Sequence, residues 1–129
     1  MADAMQFDLV SPERRLSSVQ AREVQIPATE GDMTAMPGHV PTITTLRPGI
    51  LRVVHAGGTD EFVVSGGFAE ITGEGVSVLA EQALRRADLT AEAHARMVEE
   101  ARAALAQAQA AGRGDEAAKY LADVTALRA

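Results

Sequence analysis

The chain contains no cysteine, which excludes disulfide staples and thiol nucleophiles. It also lacks tryptophan, and aromatics make up only 3% of its 129 residues, so a core must rest on Val, Ile, Leu and three Phe. Positive charge is scarce: 12 Lys and Arg face 18 Asp and Glu, a formal net charge of −6. A nucleic-acid backbone would be repelled by most of such a surface, and no basic cluster exceeds Arg14-Arg15 or Arg85-Arg86. No apolar run reaches the roughly 18 residues of a spanning helix, so membrane association is expected only through a partner. Met1 to Phe7 shows neither a basic n-region followed by an apolar h-region nor an Arg-rich, acid-poor transit pattern, so no targeting segment is expected.

What is present divides in two. Residues 1–86 read as strands and turns. Gln6-Phe7-Asp8-Leu9-Val10 alternates polar and apolar, as does Leu16 to Ile26 with Val19, Val24 and Ile26. Pro27 is expected to end that pairing, because it has no backbone donor. Gly49 to His55 and Glu61 to Val64, joined through Gly57-Gly58, read as a hairpin that Ser65-Gly66-Gly67 should break. Phe68 to Thr72 and Val76 to Ala80 flank Gly73-Glu74-Gly75 as a further pair. Short strands spaced by Gly and Pro predict an antiparallel β-sandwich or barrel.

Residues 87–129 are rich in Ala, Glu and Arg, which favour helix. Thr90 is a natural N-cap, and Leu89, Ala93, Met97, Ala101 and Leu105 form one stripe of a helix over about 90–110. Gly112-Arg113-Gly114 should stop it. Asp115 can then cap a second helix over about 115–128, with Ala117, Leu121, Val124 and Leu127 inward. The fold class is therefore α+β, mainly β: an N-terminal antiparallel sandwich and a C-terminal antiparallel helical hairpin. The hairpin's apolar stripe is thin, so it should be marginally stable alone and the more mobile half.

Reactive constellations are missing. His39, His55 and His94 fall on a loop, a strand and a helix, without ligand spacing. Asp60-Glu61, Glu99-Glu100 and Asp115-Glu116 are adjacent carboxylates whose side chains diverge, which suits solvated faces and a cap better than an acid/base pair. Gly73-x-Gly75 lacks the third Gly of a dinucleotide fingerprint and precedes a strand. No cofactor, no metal and no catalytic residue are expected.

The loops carry more information as a set. DLVSPER (Asp8 to Arg14), EGDMTAMPGHVPTITTLRPG (Glu30 to Gly49), FVVSGGFAEI (Phe62 to Ile71) and VSVLAEQA (Val76 to Ala83) occur in one unbroken order. Together they resemble the epsilon subunit of F-type ATP synthases. That resemblance implies a ten-stranded sandwich followed by a helical hairpin. It implies a rotor subunit of the central stalk, bound to the gamma subunit and the c-ring, with the catalytic sites on other chains. With no transit segment, a bacterial or plastid-encoded chain is expected, peripheral on the ATP-making side of an energy-transducing membrane, which in a bacterium is the cytoplasmic face of the inner membrane.

The same resemblance assigns residues. Glu30, Gly31 and Asp32 fall on the loop that meets the c-ring, with Asp32 either contacting the ring or ordering its own turn. Ser11, His39, Val40, Pro41 and Thr44 fall on the gamma-facing side, although His39 equally suits a locally bonded loop residue. The family's hairpin can lie folded or extend toward the alpha and beta subunits and inhibit hydrolysis. Some members bind ATP through an (Ile/Leu)-Asp-x-x-Arg-Ala motif. Here Leu89 fits, but Thr90, Ala93 and His94 replace Asp, Arg and Ala, so the group best suited to phosphate is gone. The second helix carries few basic residues, which predicts at most weak inhibition. Titration calorimetry of the chain with ATP is expected to show no micromolar binding; a micromolar dissociation constant would identify an ATP sensor instead.

Overall fold

The computed structural model describes residues 4–129. Seven strands come first: β1 (Met5–Val10), β2 (Arg15–Ala28), β3 (Gly31–Ala35), β4 (Thr42–Thr45), β5 (Gly49–His55), β6 (Gly58–Ile71) and β7 (Gly75–Arg85). A 3-10 turn, Arg86–Asp88, leads into helices α1 (Ala91–Ala110) and α2 (Gly114–Thr125). The expected class, a β-sandwich with a helical hairpin after it, is the observed one.

The strands form one sheet in the order β1-β7-β6-β5-β2-β3, with β4 added to β6. Because β1 also pairs with β2, five of these strands close into a ring. Every pairing is antiparallel except β1 with β7, which is parallel and departs from the purely antiparallel expectation. Alternation drives this closure. Met5, Phe7 and Leu9 of β1, Leu51 and Val53 of β5, and Val76, Val78 and Ala80 of β7 all point into one dry core with Val24, Ile26, Phe62, Val64 and Ile71.

Two sequence breaks do not break strands. β6 runs for 14 residues straight through Ser65-Gly66-Gly67. Gly66 and Gly67 adopt positive φ (75° and 103°), so the strand bends while its pairing with β7 keeps one register from Phe62↔Arg85 to Ile71↔Val76. β2 likewise continues past Pro27, which pairs with Asp32 of β3. Pro27 lies beyond the last β5 partner, Gln25↔Arg52, so its missing N–H interrupts no β5 pairing, and its carbonyl accepts the Arg47 N–H (3.0 Å). The sheet has seven strands where the resemblance implied ten, and β6 alone spans two of the strands expected from sequence. β3 and β4 arise from a segment that sequence read as loop.

β6 also explains how the hairpin attaches. Its Phe62 and Val64 face the sandwich core, whereas Val63 faces the helices, so both faces are buried along FVVS. Against Val63, Ile50 and Leu84 pack Leu89, Met97, Ala101, Val124 and Leu127. The hairpin thus lies folded on the sandwich. Thr90 caps α1 by accepting the Ala93 N–H (3.0 Å). Gly112 (φ 75°) ends it, with Arg113 N–H donating to Ala108 (2.7 Å) and Gly112 N–H to Gln109 (3.1 Å). α2 starts one residue earlier than expected: Asp115 sits in its first turn rather than capping it, since Gly114 can join the helix directly after the Gly112 reversal.

Gly67 is the tightest point of the sheet. A Cβ there would lie 2.0 Å from the Leu79 carbonyl oxygen. Gly67→Ala is therefore expected to destabilise the chain by about 3 kcal/mol in denaturant unfolding; an unchanged midpoint would contradict the bend described.

Candidate functional site

Strand register determines what the sandwich offers to a partner. Residues directly opposite across paired strands share a face. Thr45 of β4, Phe68 of β6 and Leu79 of β7 lie in one row, extended by Val10 of β1. The next outward row is Ile43, Glu70, Ser77 and Asp8. Between them the inward rows, such as Thr44-Ala69-Val78-Leu9, fill the core. Among the polar Thr45, Glu70, Ser77 and Asp8, this outward face exposes three large apolar side chains that a solvated sheet face would lack: Ile43 is 69% exposed, Leu79 44% and Phe68 42%.

A loop extends that face. Gly38 N–H donates to the Gly73 carbonyl (3.1 Å), which pins residues 36–41 onto the β6–β7 turn. The turn is itself fixed by the Thr72 hydroxyl, which accepts the Glu74 and Gly75 N–H groups (both 3.2 Å). Met36 and Val40 then stand 51% and 74% exposed beside the sheet rows. His39 hydrogen-bonds through Nδ1 to the Val40 carbonyl (2.7 Å), and Thr42 Oγ1 donates to the same oxygen (2.9 Å).

The residues singled out from sequence are spread over this surface. Ser11 lies just past Val10, in a corner where its N–H and hydroxyl both donate to the Arg14 carbonyl (2.9 and 3.3 Å). His39, Val40 and Pro41 lie at the far end, in the pinned loop. Thr44 is half-buried on the inward face of β4, and its neighbour Ile43 is the outward one. Ile43, Phe68, Leu79 and Met36 were not singled out. The signal for two of them was local: Leu79 lies between the buried Val78 and Ala80, and Phe68 alternates with Ala69, so both must face out.

Glu30, Gly31 and Asp32 form a separate protrusion at the β2–β3 turn, all three exposed. The turn leans on β4: Thr29 N–H donates to the Thr45 carbonyl (3.0 Å), and the two Thr hydroxyls hydrogen-bond (2.8 Å). Asp32 forms an ion pair with Arg47, while Glu30 enters no ion pair among the described residues. The tip therefore presents one paired and one free carboxylate.

The hairpin site is poor in phosphate chemistry. The Thr90 hydroxyl is spent on its cap, and His94 Nε2 donates to the Val124 carbonyl (2.9 Å). The groove between the helices and β7, about 640 Å³, carries Glu81, Glu100 and Glu116 against a single Arg113. Among the described residues no three His, Asp or Glu converge as metal ligands. His55 is occupied by Asp60 (3.0 Å) and by the Gly57 N–H (3.1 Å). No helix among them is long and apolar enough to cross a membrane.

A closed sandwich with a folded helical hairpin, offering a face rather than a reactive cleft, is the class of protein that results. Comparisons with known proteins narrow it. The model of the ATP synthase Delta/Epsilon chain β-sandwich domain matches residues 4–86. The chain is 62% identical over 127 residues to the ATP synthase epsilon chain of Rhodobacter capsulatus, covering 98% of this chain and 96% of that one. It is 51% identical over 133 residues to the epsilon chain of Paracoccus denitrificans, covering 98% and 90%. A chain of the Euglena gracilis mitochondrial ATP synthase, solved with OSCP, F1 and c-ring, aligns with a TM-score of 0.73 at 26% identity, over 97% of this chain and 79% of that one. A chain of the Tetrahymena thermophila central stalk and c-ring shares the fold, with a TM-score of 0.56 at 15% identity over 67% and 70%. The chain belongs to the ATP synthase epsilon chain family, as its loop motifs implied.

Proposed function

We propose that this chain is a non-catalytic rotor subunit that couples the gamma subunit to the c-ring during proton-driven ATP synthesis. The observation that carries this reading is the apolar outward face built by Ile43, Phe68 and Leu79 and extended by Met36 and Val40. A small protein rarely exposes so many large apolar groups side by side unless another protein covers them. Ser11, His39 and Pro41 flank that face and complete the gamma contact, while Thr44, turned inward on β4, supports it from behind. The carboxylate tip at Glu30, Gly31 and Asp32 is offset from it and serves the c-ring.

The mechanics favour this role. A coupler must be stiff, because a compliant one stores work instead of passing it on. The ring of hydrogen-bonded strands provides that stiffness, and its closure leaves few strand edges to slip or aggregate. The hairpin, folded and with few basic residues in its second helix, inhibits hydrolysis at most weakly, through the alpha and beta subunits when it extends. The complex works at an energy-transducing membrane, and we assign this subunit to the cytoplasmic face of a bacterial inner membrane.

The test is assembly. Phe68→Ser with Leu79→Ser removes two exposed side chains at little cost to folding. It is expected to weaken binding to purified gamma subunit on the order of 100-fold with the thermal transition retained. Wild-type affinity in the folded double variant would contradict the assignment of this face.

A further inference from the structure

We propose that Arg86 fastens the C-terminal end of the chain to the sandwich and thereby decides whether α2 is folded. Arg86 lies in the turn between β7 and α1, yet its guanidinium joins two distant parts. Nη1 meets Glu61 of β6 (3.1 Å), and Nε donates to the Arg128 carbonyl (2.9 Å), 42 residues away in sequence. It is one of a small group gripping the carbonyls at the end of α2 and just beyond it. His94 Nε2 holds that of Val124 (2.9 Å), and Arg128 Nη1 holds those of Thr125 (3.1 Å) and Leu127 (2.9 Å). These oxygens lie at the partly negative C-terminal end of the helix and just beyond it, where nearby cations are stabilising. Of the three side chains, only Arg86 ties that end to the sandwich; His94 belongs to α1 and Arg128 to the tail itself.

Packing makes this grip decisive. From Arg102 to Asp123 no residue is fully buried, and α2 places only Val124 and, just past its end, Leu127 fully inside the hairpin core, with Tyr120 and Leu121 packed half-buried against them. Both lie beside the Arg86 contact. The tip of the hairpin instead stands over the open groove, with Ala104, Ala108 and Ala117 offering little apolar area. A helix of 12 residues is not stable by propensity alone. With its C-terminal end fixed, α2 is a closed segment of restricted freedom. With that end released, only the α1 contacts oppose the entropy of unfolding. The hairpin is therefore a strap buckled at Arg86, and α2 opens as a unit separate from the sheet.

Amide hydrogen exchange by mass spectrometry on the full chain tests this. In Arg86→Met, which keeps the apolar stem, the amides of α2 are expected to exchange at least about tenfold faster while those of β5 and β6 keep wild-type protection. Glu61→Gln, which loosens the guanidinium without removing it, should show a smaller increase in the same segment. Unchanged α2 protection in folded Arg86→Met, or equal acceleration in the sheet and α2, would overturn the proposal. If Arg86→Met does not fold, Glu61→Gln decides: acceleration confined to α2 supports the buckle, and wild-type exchange overturns it.

Discussion

Everything in this chain depends on the double pairing of β1. One strand of six residues bonds to β2 on one side and β7 on the other, and so turns an open sheet into a ring. The parallel partner must come unusually close: a Cβ on Gly75 would lie 2.5 Å from the Gln6 carbonyl oxygen. Closure in turn lets one side of the sheet be apolar without inviting edge-to-edge pairing. Only the short strands β3 and β4 lie outside the ring, so few edges accompany the exposed apolar side chains.

β6 carries the second constraint. Its first half has two buried faces, one on the sandwich core and one on the helices, while its second half has an inner face at Ala69 and Ile71 and an open one at Phe68 and Glu70. The bend at Gly66 and Gly67 separates the two regimes. One strand thus links the hairpin's attachment to the docking face. The hairpin itself is bound through few large side chains, with Ala elsewhere, which keeps it detachable in principle and folded at rest.

Much of this was legible in the sequence where local physics decides. The alternation of β1, β5 and β7, the Thr90 cap and the Gly112 stop follow from neighbours a few residues apart. Pro27 and Ser65-Gly66-Gly67 misled because their effect depends on distant partners: the end of the β5 pairing before Pro27 in one case, an unbroken β7 register in the other. β3 and β4 were invisible for the same reason, being short, Thr-rich and held by pairing rather than by a hydrophobic pattern of their own. The docking face was half legible. Its motifs identified the family, but the row from Thr45 to Val10 exists only once four strands are in register.

The division of labour between the two halves is the central claim, and truncation addresses it most directly. An enzyme assembled with residues 88–129 of this chain removed should still make ATP from a proton gradient, because the proposed role puts the coupling in the sandwich, and its rate of ATP hydrolysis should be little changed. Loss of coupled synthesis, or a large activation of hydrolysis, would contradict the account.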